Sequence, residues 1–208
     1  MKKMLLLLVV FLVISTWAHA ALIQAKLTVV SSQGIGSIMV FNKTANTPGV
    51  KCDGTTPCNF TFRSGTNVAI TANSISVGFA LRGWRNATGS ATVCSTQTGA
   101  TCTFTITQNS SATAQFDEVF GVHVSVSSGT GTVQASDTTG APPMSCSDQC
   151  SRPFFKGSII TIKSTAGANQ QFGSYASKTG SASQCSANPC TFTLTQASSV
   201  ATNFIQIP

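Results

Sequence analysis

The stretch CTFTITQNSSATAQF at residues 102–116 returns as CTFTLTQASSVATNF at residues 190–204. A chain that repeats such a pattern, each time behind a cysteine, is constrained to fold as two like units. The match extends well beyond these segments. Residues 26–30 and 34–38 align with 121–125 and 129–133, and Cys52 and Cys58 fall opposite Cys146 and Cys150. Residues 62–70 align with 154–162, and Cys94 and Cys102 meet Cys185 and Cys190. The offset drifts from 95 at the glycines to 88 at the end, which places the deletions in loops. The chain is a tandem duplication with four cysteines per copy.

Alternation of apolar residues with Thr, Ser or Asn predicts strands at 26–31, 68–72, 103–107 and 112–116, and again at 122–126, 160–164, 191–195 and 200–204. Threonine, valine, isoleucine and phenylalanine suit a pleated, half-buried surface. Phe104 and Ile106 point to one face and the threonines to the other, as do Phe192 and Leu194 in the second copy. The Gln-Asn-Ser-Ser and Gln-Ala-Ser-Ser turns predict a hairpin in each copy, ending on the core residues Phe116 and Phe204. No helical period is sustained past the N-terminal segment, so the expected class is all-β: two tandem small β-sheet domains, at 21–117 and 118–208.

The first twenty residues, MKKMLLLLVVFLVISTWAHA, combine Lys2 and Lys3, an apolar run and a small-x-small site at Ala18 to Ala20. They read as an export signal removed after residue 20. No later apolar segment is long enough to span a bilayer, and no sorting tail or lipid anchor is seen. The expected product is therefore soluble and exported: periplasmic, cell-surface or secreted.

All eight cysteines lie beyond that signal, and an even count in an exported chain reads as disulfides. Each neighbouring pair brackets a loop rich in Gly, Pro, Ser or Asn, which favours Cys52–Cys58, Cys94–Cys102, Cys146–Cys150 and Cys185–Cys190. Links between pairs, such as Cys52 with Cys102, remain open. Metal is the weaker reading, because the spacings are irregular and His123 is the one histidine past the signal.

The order of motifs resembles the divergent internalin B-repeat type of bacterial repeat domain, over residues 26–204. A Leu-Thr-Val strand leads to Gly-x-Gly and a paired-cysteine loop, then a Phe-x-x-Gly-Thr/Ser strand and a Gly-Trp turn. A Cys-Thr-x-Thr segment and a closing Ala-x-x-Phe follow. Gly83 and Trp84 carry the Gly-Trp turn in the first copy, and Gly173 and Tyr175 stand there in the second. The resemblance implies β-rich, grasp-like modules of stalks, adhesins and envelope proteins.

The residues argue against an enzyme. His123 lies in an alternating strand with no nucleophile or orienting carboxylate in its motif, and reads as solvent-facing. Asp117 and Glu118 read as a solvated linker between copies, since adjacent residues on an extended segment point apart. Asp53 and Asp148 sit within cysteine-bracketed loops and read as turn residues. Gly34 and Gly36, like Gly129 and Gly131, precede no helix, so a phosphate loop fails and a glycine hairpin is expected. No cofactor is implied.

Without the signal, ten basic residues face five acids, a net charge of +5 against +7 for the whole chain. The charge is scattered, which disfavours nucleic acid as a partner. Trp84, flanked by Arg82 and Arg85, and its counterpart Tyr175 are candidate binding residues if exposed, and core rings if buried. The expected function is a non-enzymatic cell-envelope or extracellular binding and adhesion module, with a protein or glycan partner. The alternatives are a subunit that self-assembles through edge strands into a fibre or matrix, and an accessory or inhibitor of an exported enzyme.

Overall fold

The computed structural model describes residues 24–32, 35–97, 99–139 and 141–208. The export signal read at 1–20 and Gly34 lie outside them. In chain order the strands are β1 (Gln24–Ser31), β2 (Gly36–Asn42), β3 (Val50–Asp53), β4 (Cys58–Arg63), β5 (Thr66–Ser74), β6 (Phe79–Thr88), β7 (Thr101–Ile106), β8 (Ser110–Ser128), β9 (Gly131–Asp137), β10 (Met144–Cys146), β11 (Gln149–Phe155), β12 (Ile159–Ala166), β13 (Gln170–Thr179), β14 (Cys190–Thr193) and β15 (Ser198–Gln206). Short 3-10 turns stand at Gly89–Thr96 and Gly180–Gln184, and no α-helix occurs among the described residues. The fold is all-β.

The chain forms two compact units, 24–73 with 83–115 and 74–82 with 116–208. The units are therefore not contiguous in sequence, unlike the expected 21–117 and 118–208. Segment 74–82, from the first repeat, packs in the second unit. There the Val119 N–H donates to the Gly78 carbonyl (2.8 Å).

In the first unit one sheet runs β3-β2-β5-β7. The strands of the other pair as β4 with β1, β1 with the first part of β8, and β8 with β6. The second unit repeats the plan, with β10-β9-β12-β14 as one sheet and β11, the later part of β8, β15 and β13 as the other. In each unit the repeat's first and last strands pair in parallel, Leu27–Ser31 beside Ser110–Ala114 and Ser198–Asn203 beside Val122–Ser128.

Residues from both sheets share one apolar core. In the second unit it joins Val122 and Val124 of β8, Val133 of β9, Phe154 of β11, Ile160 and Ile162 of β12, Tyr175 of β13, Phe192 of β14 and Val200 of β15. In the first unit Leu27, Val29, Ile38, Val40, Val68, Ile70, Trp84, Phe104 and Ile106 are buried at matching positions. Each such side chain contributes about 1.5–3 kcal/mol when fully buried. Alternation of buried and exposed residues along β7 and β1 is the strand period that the sequence shows.

The sandwich corrects the expected hairpins. Strand β7 pairs with β5 and not with β8, so the Gln-Asn-Ser-Ser turn carries the chain from one sheet to the other. The same holds for Gln-Ala-Ser-Ser between β14 and β15. Likewise β1 and β2, and β8 and β9, lie in different sheets and do not pair. A hairpin and a sheet-crossing corner show the same alternation, because in both cases each strand offers one apolar face. Phe116 and Phe204 nevertheless end in the core.

Four disulfides staple the units: Cys52–Cys58, Cys94–Cys102, Cys146–Cys150 and Cys185–Cys190. The Cys52 and Cys146 bridges each join edge strands of the two opposed sheets, β3 to β4 and β10 to β11. The Cys94 and Cys185 bridges tie the 3-10 turn regions to β7 and β14.

Candidate binding surface

The aromatic pair singled out in the sequence is not a surface. Trp84 is 1% exposed and Tyr175 7% exposed, so neither ring offers a face for stacking. Both sit on the inner face of the strand beside the repeat's last strand, where the core between two sheets needs a large side chain. The Trp84 Nε1–H has no hydrogen-bond partner among the described residues. The Tyr175 hydroxyl donates at 3.4 Å to the Ile162 carbonyl and lies 3.4 Å from Asn188 Oδ1. Burial raises the Tyr175 phenol above its ordinary pKa, and a hydrogen bond with Ser164 acts the other way. Phe172 packs edge-on against it at 5.0 Å.

The flanking arginines are engaged. The Arg82 guanidinium pairs with Asp117 at 2.8 Å and lies 5.2 Å from the centre of the Phe155 ring. Arg85 donates to Gln115 Oε1 at 3.0 Å. Glu118 pairs with Lys156 at 2.7 Å. Asp117 and Glu118 therefore belong to β8 as ion-paired strand residues, which corrects the linker reading. His123 is half-buried, and its cross-strand neighbours are Ser151 and Ser199, neither an orienting carboxylate.

TGSA, at 88–91 and again at 179–182, is a repeated motif that the strand pattern hides. Its identity in both copies, just ahead of a cysteine, is the signal that marks it. In the first unit the Ser90 N–H donates to Ser110 Oγ (2.9 Å), and Ser90 Oγ accepts from the Thr107 N–H (3.0 Å). In the second unit Ser181 repeats both bonds, with Ser198 Oγ and the Thr195 N–H, at 2.9 Å each. Gly89 and Gly180 have φ of +59° and +62°, and a Cβ on either would collide with the carbonyl of Asn109 or Ala197. This motif docks the 3-10 turn onto the corner between the sheets and is structural.

A cleft of about 460 Å³ in the first unit is lined by Asn42, Thr44, Thr61, Phe62, Arg63 and Thr66, where β2 ends and β4 turns into β5. Two of its side-chain oxygens hold backbone N–H groups in place. Asn42 Oδ1 accepts from the Ala45 N–H (2.9 Å), and Thr44 Oγ1 accepts from the Asn67 N–H (2.8 Å). The Thr66 hydroxyl donates to the Arg63 carbonyl at 2.7 Å. Arg63 is exposed, and the ion pairs of the described residues, Lys51–Asp53, Arg82–Asp117 and Lys156–Glu118, do not include it. A second hollow, of about 370 Å³, is lined by Gln184, Ser186, Ala187, Pro189, Cys190 and Thr191 and holds no charged group. Among the described residues no three His, Cys, Asp or Glu side chains gather as a metal site would require.

The family described as the divergent InlB B-repeat domain matches residues 42–120 and again 123–208. The chain belongs to that family. Its two matched segments correspond to the duplication, and this InlB B-repeat chain carries the Gly-Trp position as Trp84 in one copy and Tyr175 in the other. No curated protein matches it. Solved structures similar to it include a streptococcal ancillary pilin, 8% identical over 88% of this chain and 63% of that one, with a TM-score of 0.33. The minor pilin GBS52 of Streptococcus agalactiae is 7% identical over 88% of this chain and 97% of its own, at a TM-score of 0.32. The shaft pilin SpaA of Lactobacillus rhamnosus GG is 7% identical over 89% and 98%, at 0.31. The chain thus spans less than two thirds of the ancillary pilin.

Proposed function

We propose that this chain is an exported, non-enzymatic binding module that acts at the cell envelope or outside the cell, on a protein or glycan. The observation that carries this reading is the polar cleft lined by Asn42, Thr44 and the exposed Arg63, set on a disulfide-stapled sandwich in which Trp84 and Tyr175 serve the core. Membership of the InlB B-repeat family supports it.

Fibre growth through edge strands is the weaker reading. Strand β13 carries two irregularities in its pairing with β15, at Phe172/Ser174 and Tyr175/Ser177. Edge strand β11 contains Pro153, which has no N–H, and edge strand β3 carries the Lys51–Asp53 pair at 3.0 Å. These are devices that blunt edge-to-edge pairing. Light scattering of residues 21–208, oxidised, is expected to give one mass independent of concentration. A mass that grows with concentration would make self-association the function to explain. An array of glycans and immobilised matrix proteins, probed with the same material, is expected to show specific binding.

A further inference from the structure

We propose that the Cys52–Cys58 bridge is a redox-sensitive clasp: a dithiol reductant opens it ahead of the bridges inside the sandwich, and strand β3 is then released from the edge of its sheet. The first support is that the four disulfides fall into two kinds. Cys94, Cys102, Cys185 and Cys190 are all at most 7% exposed, so the bridges that tie the 3-10 turn regions to β7 and β14 are closed to an attacking thiolate. Cys58 is half-buried, as are Cys146 and Cys150, which leaves the two bridges between edge strands within reach of one.

The second support is how little else holds β3. Of its four residues only Cys52 is buried, at 1% exposed, whereas Val50 is 55% exposed and Lys51 and Asp53 face solvent. Its backbone pairs with Ser37–Val40 of β2 at the end of the β3-β2-β5-β7 sheet. The buried anchor of β3 is therefore the group that reduction cuts. Strand β10, the counterpart in the second unit, has a second anchor, because Met144 packs against the core beside Cys146. Opening Cys146–Cys150 should leave β10 in place. The third support is what β3 covers. Strand β2 reads GSIMVFN and carries no charge, while β3 brings Lys51 and Asp53 to the sheet edge. Release of β3 exchanges a charged edge for an uncharged one, the kind that natural sheets keep covered.

In the step itself, one thiolate of the dithiol attacks Cys58 Sγ, the S–S bond breaks, and Cys52 leaves as a thiolate that takes up a proton. The second thiol of the reductant displaces Cys58 from the mixed disulfide and closes the reductant's own S–S bond. Two electrons and two protons pass from the dithiol to the cysteine pair.

The test treats oxidised 21–208 with graded dithiothreitol, traps free thiols with iodoacetamide and locates them by peptide mass spectrometry. Half-labelling of Cys58 is expected at a dithiothreitol concentration at least about tenfold below that for Cys94 and Cys185. In the clasp-opened form, amides 50–53 should exchange hydrogen at least about tenfold faster than in the oxidised protein, with 144–146 and the core strands at 27–31 and 122–126 unchanged. Cys52→Ala combined with Cys58→Ala should reproduce that pattern without reductant. Labelling of all four bridges together, labelling of Cys94 or Cys185 first, or protection at 50–53 that survives loss of the bridge would each overturn the inference. Loss of protection throughout the double variant would overturn it too, because the whole sandwich would then depend on the clasp.

Discussion

At the scale of single residues the clearest constraint is steric. Gly89 and Gly180 hold positive φ, and their missing Cβ atoms leave room for the carbonyls of Asn109 and Ala197. Gly89→Ala or Gly180→Ala is expected to cost at least about 2 kcal/mol in guanidinium unfolding, because backbone strain and a collision add. Gly65→Ala, at φ +89° with nothing near its Cβ, should cost only about 1 kcal/mol, the strain alone. Tyr175 is the chain's one tyrosine, so absorbance at alkaline pH reads it directly. Its phenol is raised above the unfolded value of about 10 by burial. The stability it contributes is therefore fully present below the unfolded pKa and lost as pH rises through the folded one. The titration midpoint of the folded protein is expected above that of the protein in denaturant, and Tyr175→Phe should remove that component of alkaline destabilisation.

At the scale of elements, stability rests on corners and staples as much as on strands. Ser90 Oγ and Ser181 Oγ each receive a backbone N–H at the corner between the sheets. Replacing either by alanine leaves that N–H without its partner and should cost about 1 kcal/mol, read from unfolding midpoints. The disulfides close loops with sequence separations of only 4 to 8 residues. In the chain-entropy model such loops contribute about 2 kcal/mol each. Reduction should therefore remove stability comparable to that of a whole small domain, and the reduced protein is expected to lose its cooperative melting transition. The alternation in β1, β5, β7, β12 and β15 was legible because one face of each strand is buried. The partners of these strands were not legible, since alternation records that a face is covered and not which strand lies alongside.

At the scale of the whole molecule, the exchange of segment 74–82 matters most. The duplication suggests two contiguous blocks, but the Gly78 carbonyl is satisfied by Val119, and Arg82 by Asp117 and Phe155. A protein ending at residue 117 lacks Val119 and Phe155. Amides 79–82 in that truncated form are expected to exchange hydrogen at least about tenfold faster than in the full chain. Equal protection in both forms would show that 74–82 is held by the first unit alone.

By itself the sequence determined the duplication, the all-β class and the polarity of the central strands, because repetition and a two-residue period survive in a linear string. It also placed Phe116 and Phe204 in the core, since a buried face must be apolar wherever its strand pairs. Tertiary structure alone decided that the serine turns cross between sheets and that Trp84 and Tyr175 are core rings. Only there do Asp117 and Glu118 find basic partners at 2.8 and 2.7 Å, from residues 35 and 38 positions away. The cleft at Arg63 was invisible for the same reason. Its lining comes from β2, β4 and β5 and the turns beside them, and only the folded chain brings them side by side.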